Sequence, residues 1–193
     1  SFWHNGRPLI MLDSSKTAVR MRFSLAHELG HLIMHRAVED DYLNDKELFD
    51  LVELQADYFA SSFLMPATTF GREFYSPNLS ALERLKLRWI TSIGSIAMRS
   101  HSLKLISDNQ KSYIFKQLAP FHRREPLDDA IPKEEPELLN KLLLLLDKHS
   151  IIKVTELTDI FALPLNELSA ITRFKESDMI HSDNVISFTI KQK

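Results

Sequence analysis

The chain contains no cysteine and only four glycines in 193 residues. Without a thiolate there can be no disulfide framework, no cysteine nucleophile and no Cys-ligated zinc, haem or iron–sulfur centre. Any metal must be held by His, Asp and Glu. So few glycines argue against an all-β fold with its many tight turns, and against glycine-rich phosphate loops. Long apolar runs are also missing. The five leucines at 142–146 are closed off by Lys141 and Asp147. Neither a membrane span nor a signal peptide is expected, and the cytoplasm is the expected compartment. A formal net charge of -2 offers no bulk footprint for nucleic acid. Ser1 falls inside what reads as a strand, so the sequence is expected to be a piece of a longer protein.

The length suits one large domain or two small ones, and 44% hydrophobic residues can build a core without a staple. Asn5-Gly6 is a turn dipeptide between short extended pieces, and Asp13-Ser14-Ser15 is a break. Residues 17–23 alternate apolar or β-branched residues with Arg20 and Arg22, as an edge strand would. Residues 23–35 have helical periodicity through Leu25, Ala26, Leu29, Leu32 and Ile33. Asn44 with Glu47 reads as a capping box opening a helix that runs to about Leu64 and stops before Pro66. Ser80 with Glu83 and Ser107 with Gln110 are similar openings, giving three helices between 80 and 118 with a break near 92–95. Residues 125–137, with three prolines and six acids, read as a linker or exposed loop. A leucine-rich helix at 136–149, apolar all round and so expected to be buried, follows. Two short helices broken at Leu163-Pro164 and a strand at 185–190 complete the chain. Two domains are expected, 1–130 and 131–193.

Charge is segregated. Residues 39–57 hold eight acids and one lysine, while 84–124 hold nine Lys/Arg and one Asp. The preferred reading is two solvated faces that neutralise each other; the sharper one is a basic stretch that grips an acidic or extended partner.

The informative string is Ala26-His27-Glu28-Leu29-Gly30-His31, an H-E-x-x-H. From this chain's composition its chance expectation is roughly 0.02 occurrences. On a helix, His27 and His31 lie one turn apart on one face and present two imidazoles to one ion, with Glu28 beside them. Two neutral imidazoles hold Zn²⁺ with positions left open. The metal acidifies its bound water and polarises a carbonyl, and Glu28 takes the proton. A third ligand must come from elsewhere. Glu53 lies 22 residues after His31 on the next helix, with Asp50 as a fallback. Asp57, one turn on, is placed to accept a hydrogen bond from a ligand histidine, most naturally His27. Small Ala56, Ala60 and Ser61 would let the two helices approach. His35 is one turn too far along for the same ion and reads as structural. Glu39, Asp40 and Asp41 read as a solvated acidic loop.

The strings RFSLAHELGHLIMH and ELQADYFASSFLMP resemble the ImmA/IrrE family of metallo-endopeptidases. The order continues through LKLRW, SIGSIAMRS and RREPLDD, so the resemblance extends over most of residues 1–130. It implies that His27, His31 and Glu53 are zinc ligands and Glu28 the catalytic glutamate, in a compact gluzincin-like unit. The family often has Asn where this chain has Asp57. The resemblance also implies a substrate class, a helix-turn-helix repressor cleaved to relieve repression. Mn²⁺, Fe²⁺ or Co²⁺ could occupy a His₂Glu site in place of zinc.

Arg99, His101 and Tyr58 are candidate oxyanion stabilisers, although a surface ion pair, an exposed imidazole and a packed ring are the more ordinary readings of the three. An extended substrate is expected to add to an edge strand, with residues 17–22 as the candidate. Residues 155–171 have the rhythm of a helix-turn-helix, but the second helix carries only Asn166 and, beyond its end, Arg173 and Lys175. Direct nucleic-acid binding is therefore not expected, and a packing or interaction module is preferred. The expected fold is helix-dominated α+β, a small antiparallel sheet packed on a zincin-type active-site helix with a mostly helical C-terminal extension. The expected activity is zinc-dependent endopeptidase. The alternative is a peptidase-like module that senses metal or a partner and controls a repressor without cutting it.

Overall fold

The computed structural model describes residues 1–38, 45–121, 124–153 and 156–173. The chain separates into two compact units, Ser1–Glu134 and Glu135–Lys193. The first opens with a two-stranded antiparallel hairpin, β1 (Phe2–His4) and β2 (Arg7–Leu9), paired Phe2 to Leu9 and His4 to Arg7. The turn depends on Asn5 and Gly6, both at positive φ, which asparagine and glycine tolerate best. Helix α1 (Ala18–Met34) and helix α2 (Lys46–Leu64) follow. Next come α3 (Ala67–Glu73), α4 (Leu79–Trp89), α5 (Ile93–Ser102) and α6 (Asp108–Leu118). The fold is thus helix-dominated with a small antiparallel sheet.

Residues 17–23 are not an edge strand. Thr17 is the residue before α1, and the helix already includes Ala18 to Phe23. Ala18, Arg22, Ala26 and Gly30 recur every four residues on one face, with Ala18, Ala26 and Gly30 buried. Alternation and helical period cannot be told apart over seven residues, and here the longer register wins. The proposed substrate-pairing edge at 17–22 therefore does not exist. Leu32 is buried as expected, but Ile33 is exposed.

Helix α2 is capped by Asp45, whose carboxylate accepts from the N–H groups of Glu47 and Leu48. Asn44, expected in that role, lies outside the described residues, as do Glu39, Asp40, Asp41 and the expected strand at 185–190. At α4 the cap is Asn78, accepting from Ala81 N–H, and Ser80 sits inside the helix. At α6 the Ser107–Gln110 capping box forms as expected.

The principal core joins α3 to α6 and includes Met65, Phe70, Leu82, Ile93, Ile96 and Ile114. Beside it lies a buried ionic knot. Lys86 is fully buried and donates to Asp128 Oδ1 at 2.5 Å and Glu125 Oε2 at 3.2 Å. Glu125 also accepts from the N–H groups of Ile93 and Gly94, capping the start of α5. Glu125 and Asp128 are therefore tied into the first unit, so the linker reading fails there, although Leu127 between them is exposed. Among the described residues, ion pairs from 84–124 run to Glu73, Asp108, Glu125, Asp128 and Asp129, and none to 45–57. The described parts of the two charged stretches form no ion pair with each other.

The second unit contains α7 (Leu138–Lys148), α8 (Leu157–Phe161) and α9 (Leu165–Thr172). Leu143, Leu157 and Leu168 form its small core. Ala162, at positive φ, and Pro164 break the chain between α8 and α9. Leu142, Leu144 and Leu145 remain exposed, so α7 is not buried on all sides. Among the described residues, no helix is long and apolar enough to cross a membrane.

Candidate metal centre

The site lies where α1 crosses α2. Small buried residues line the crossing, Ala26 and Gly30 on α1, Ala56 and Ala60 on α2. A Cβ on Gly30 would stand 3.0 Å from Phe59 Cδ1 and 3.3 Å from Phe59 Cβ. The missing side chain is what lets the helices come this close.

His27 and His31 project from successive turns of α1 towards Glu53 on α2. His27 Nε2 and His31 Nε2 are 3.0 Å apart. Glu53 Oε2 is 3.3 Å from His27 Nε2, and Oε1 is 3.3 Å from His31 Nε2. The three residues form a cluster whose candidate ligand atoms all lie within 4.8 Å of one another. Asp50, the fallback, is not part of it.

The outer ring nitrogens fix which atoms face inward. His27 Nδ1 donates to Asp57 Oδ1 at 2.8 Å, since an ionised carboxylate can only accept. His31 Nδ1 meets His35 Nδ1 at 2.9 Å, and His35 Nε2 meets Gln55 Oε1 at 3.0 Å. The amide oxygen accepts, so His35 carries its proton on Nε2 and, when neutral, accepts at Nδ1. His31 must then donate from Nδ1. Both inner Nε2 atoms are left with bare lone pairs, facing each other and a carboxylate. Three acceptors without a donor repel unless a cation sits among them. Ligand atoms on a tetrahedral ion with bonds of about 2.0–2.1 Å stand about 3.3–3.4 Å apart, and the two imidazole–carboxylate contacts, made by different Glu53 oxygens, are of this length. The donor set fits a divalent metal. Burial, followed by the neighbouring His27, holds the His31 imidazole below its ordinary pKa, which favours the neutral ligating form.

Glu28 follows His27 and does not join the triangle. It lines, with His31, Glu53 and Trp3, a cavity of about 410 Å³, and the Arg36 guanidinium lies 4.3 Å from the centre of the Trp3 ring.

The remaining candidates are placed differently. Arg99 is buried, with Nε donating to Met65 O at 3.0 Å, the carbonyl that ends α2. It is a cation at a helix C-terminus, not a surface ion pair. Tyr58 is exposed, its ring 5.9 Å from the Arg99 guanidinium carbon. His101 contacts Asp108 at 2.8 Å. The described contacts bring none of these three to the His27–His31–Glu53 triangle. His35 and Gln55 are the residues that sequence reasoning missed as partners of the site. His35 was visible in the one-turn spacing, whereas Gln55 carried no signal.

Residues 1–101 match the Peptidase_M78 family, described as the IrrE N-terminal-like domain. The match covers both helices of the site and α5 as far as His101, and ends before RREPLDD. Among curated proteins nothing matches the chain. With more than half its length matched, the chain belongs to the Peptidase_M78 family of IrrE N-terminal-like metallopeptidases.

Proposed function

We propose that the protein is a zinc-dependent endopeptidase acting in the cytoplasm on a DNA-binding transcriptional repressor. Residues 1–130 would form the catalytic domain and residues 131–193 a separate helical module. The observation that carries this reading is the convergence of His27 Nε2, His31 Nε2 and the Glu53 carboxylate on one point, next to Glu28. His27, His31 and Glu53 would hold the zinc, which supplies Lewis-acid polarisation of the scissile carbonyl and acidification of water. A ligand set without sulfur is typical of open catalytic sites and not of closed structural ones.

The chain's own residues do the rest. Asp57 and the His35–Gln55 pair hold the two imidazoles in the tautomer that points Nε2 inward. Glu28 accepts a proton from the attacking water at its carboxylate and returns it to the leaving amine nitrogen. The cavity lined by Glu28, His31 and Glu53 gives the peptide access. The repressor as substrate rests on the family resemblance.

The test is to incubate the zinc-loaded chain with a candidate helix-turn-helix repressor from the same organism. One clipped product is expected, absent with Glu28→Gln. Relief of repression with the repressor intact would point to a regulatory module that does not cut.

A further inference from the structure

Helix α2 carries a second face that the metal cluster does not use. Glu47, Leu51, Leu54 and Tyr58 recur at i, i+4, i+7 and i+11, so they stand in one row along the helix. Leu51, Leu54 and Tyr58 are 47%, 65% and 63% exposed. Leu54 and Tyr58 wall two cavities. One, of about 540 Å³, is completed by Met34, Gln55, Phe59 and Ser62. The other, of about 430 Å³, reaches Met98 on α5. Ser62 brings a buried hydroxyl that has no hydrogen-bond partner among the described residues. Large apolar side chains left in water beside concavities mark a place where another surface binds. The charge around the row is negative. Residues 45–57 hold Asp45, Glu47, Asp50, Glu53 and Asp57 against Lys46. Asp45 is engaged with helix N–H groups, and Glu53 and Asp57 face imidazoles. Glu47 and Asp50 are exposed, and among the described residues neither makes an ion pair.

We propose that this face binds a basic amphipathic helix of another protein. Its apolar side chains seat against Leu54 and Tyr58, and its Lys or Arg residues face Glu47 and Asp50. The shape and the charge each select part of this occupant. Leu51 and Tyr58 are two turns apart, about 10 Å along α2, the span of anchors at i, i+4 and i+7 on a partner helix. The two exposed carboxylates set the sign, because an acidic helix would meet like charge along the rim. A second copy of this chain, packed by two-fold symmetry, would set the same acids against each other. The inference depends neither on zinc nor on cleavage.

The probe is a fluorescent peptide of about 15 residues, long enough to fold as a helix, with leucines at i, i+4 and i+7 and lysines on the flanks. A matched peptide has glutamates in place of the lysines. Anisotropy titrations use the full, metal-free chain. The lysine peptide is expected to bind roughly tenfold tighter than the glutamate peptide, with affinity falling as salt is raised. Leu54→Gln with Tyr58→Gln is expected to weaken it roughly tenfold. Both side chains are exposed, so the fold tolerates the change. Glu47→Lys with Asp50→Lys leaves the apolar row intact and is expected to abolish the preference for the lysine peptide. Equal affinity of the parent chain for the two peptides overturns the inference. So does binding of the lysine peptide that is unchanged in either double variant. Absence of binding overturns it too, and would show that the face is closed to partners. Dimerisation of the parent chain that Leu54→Gln with Tyr58→Gln abolishes would assign the face to a second copy, against the inference.

Discussion

Replacing Gly30 with alanine sets two opposed effects against each other at the centre of the site. In a helix interior alanine is about 1 kcal/mol more favourable than glycine. Against that, the new methyl group would lie 3.0 Å from Phe59 Cδ1 and 3.3 Å from Phe59 Cβ and Cγ. Relaxed carbon contacts lie at about 3.5–4.0 Å. The ring can swing away, but Cβ is fixed to the α2 backbone, so α1 and α2 must separate by a few tenths of an ångström. Overpacking of this kind costs about 1–3 kcal/mol, so the net change is a loss of about 0–2 kcal/mol. The separation pulls Glu53, on α2, away from His27 and His31, on α1. Zinc affinity should fall roughly tenfold, about 1.4 kcal/mol. Urea unfolding of the metal-free chain and zinc competition with a chromophoric chelator read the two effects separately. In a Phe59→Gly background the clash is gone, and the same substitution should become stabilising. A Gly30→Ala chain that is about 1 kcal/mol more stable with unchanged zinc affinity would refute the reasoning.

Other outcomes follow from contacts elsewhere. His35→Ala removes the acceptor that orients His31, and zinc affinity should drop about 10–100-fold. Gln55→Ala should act in the same direction but less, and a chelator competition assay checks both. Lys86→Met strands Asp128 and Glu125 in the interior, at a cost of about 3–5 kcal/mol. Urea unfolding measures that loss, and adding Asp128→Asn should recover part of it. The hydrogen bond from His101, then its charge and the bond from Lys111, hold the Asp108 carboxyl below its ordinary pKa. That contribution to stability is present above the unfolded pKa and is lost as pH falls through the lower folded value. In His101→Ala the NMR titration midpoint of Asp108 should rise, and the acid-side loss of stability should shrink.

The His27–His31–Glu53 cluster was legible because its geometry is local. His27, Glu28 and His31 sit within five residues, and Asp57 lies one turn after Glu53, so helical geometry alone predicts which atoms share a face. The end of α2 was legible for the same reason, since Pro66 stops it. Start points were less certain. Asp45 and Asn44 are adjacent and both suit a cap, and Asn78 competes with Ser80 two residues on. Residues 17–23 failed because Arg20 and Arg22 alternate with apolar neighbours in a way that fits either period over so short a span. The Lys86 knot could not be read at all. Its carboxylates lie 39 and 42 residues away, and nothing in an acidic, proline-rich stretch distinguishes a buried partner from a solvated one. Gln55 was silent because its role depends on how α1 and α2 cross.

The most direct measurement is zinc binding to the metal-free chain by isothermal titration, across the ligand and base substitutions. The account predicts one zinc per chain, loss of most affinity in His31→Ala and Glu53→Ala, and retention in Glu28→Gln, which should no longer cleave its substrate. Zinc binding in Glu53→Ala indistinguishable from the parent chain, or cleavage surviving in Glu28→Gln, would contradict it.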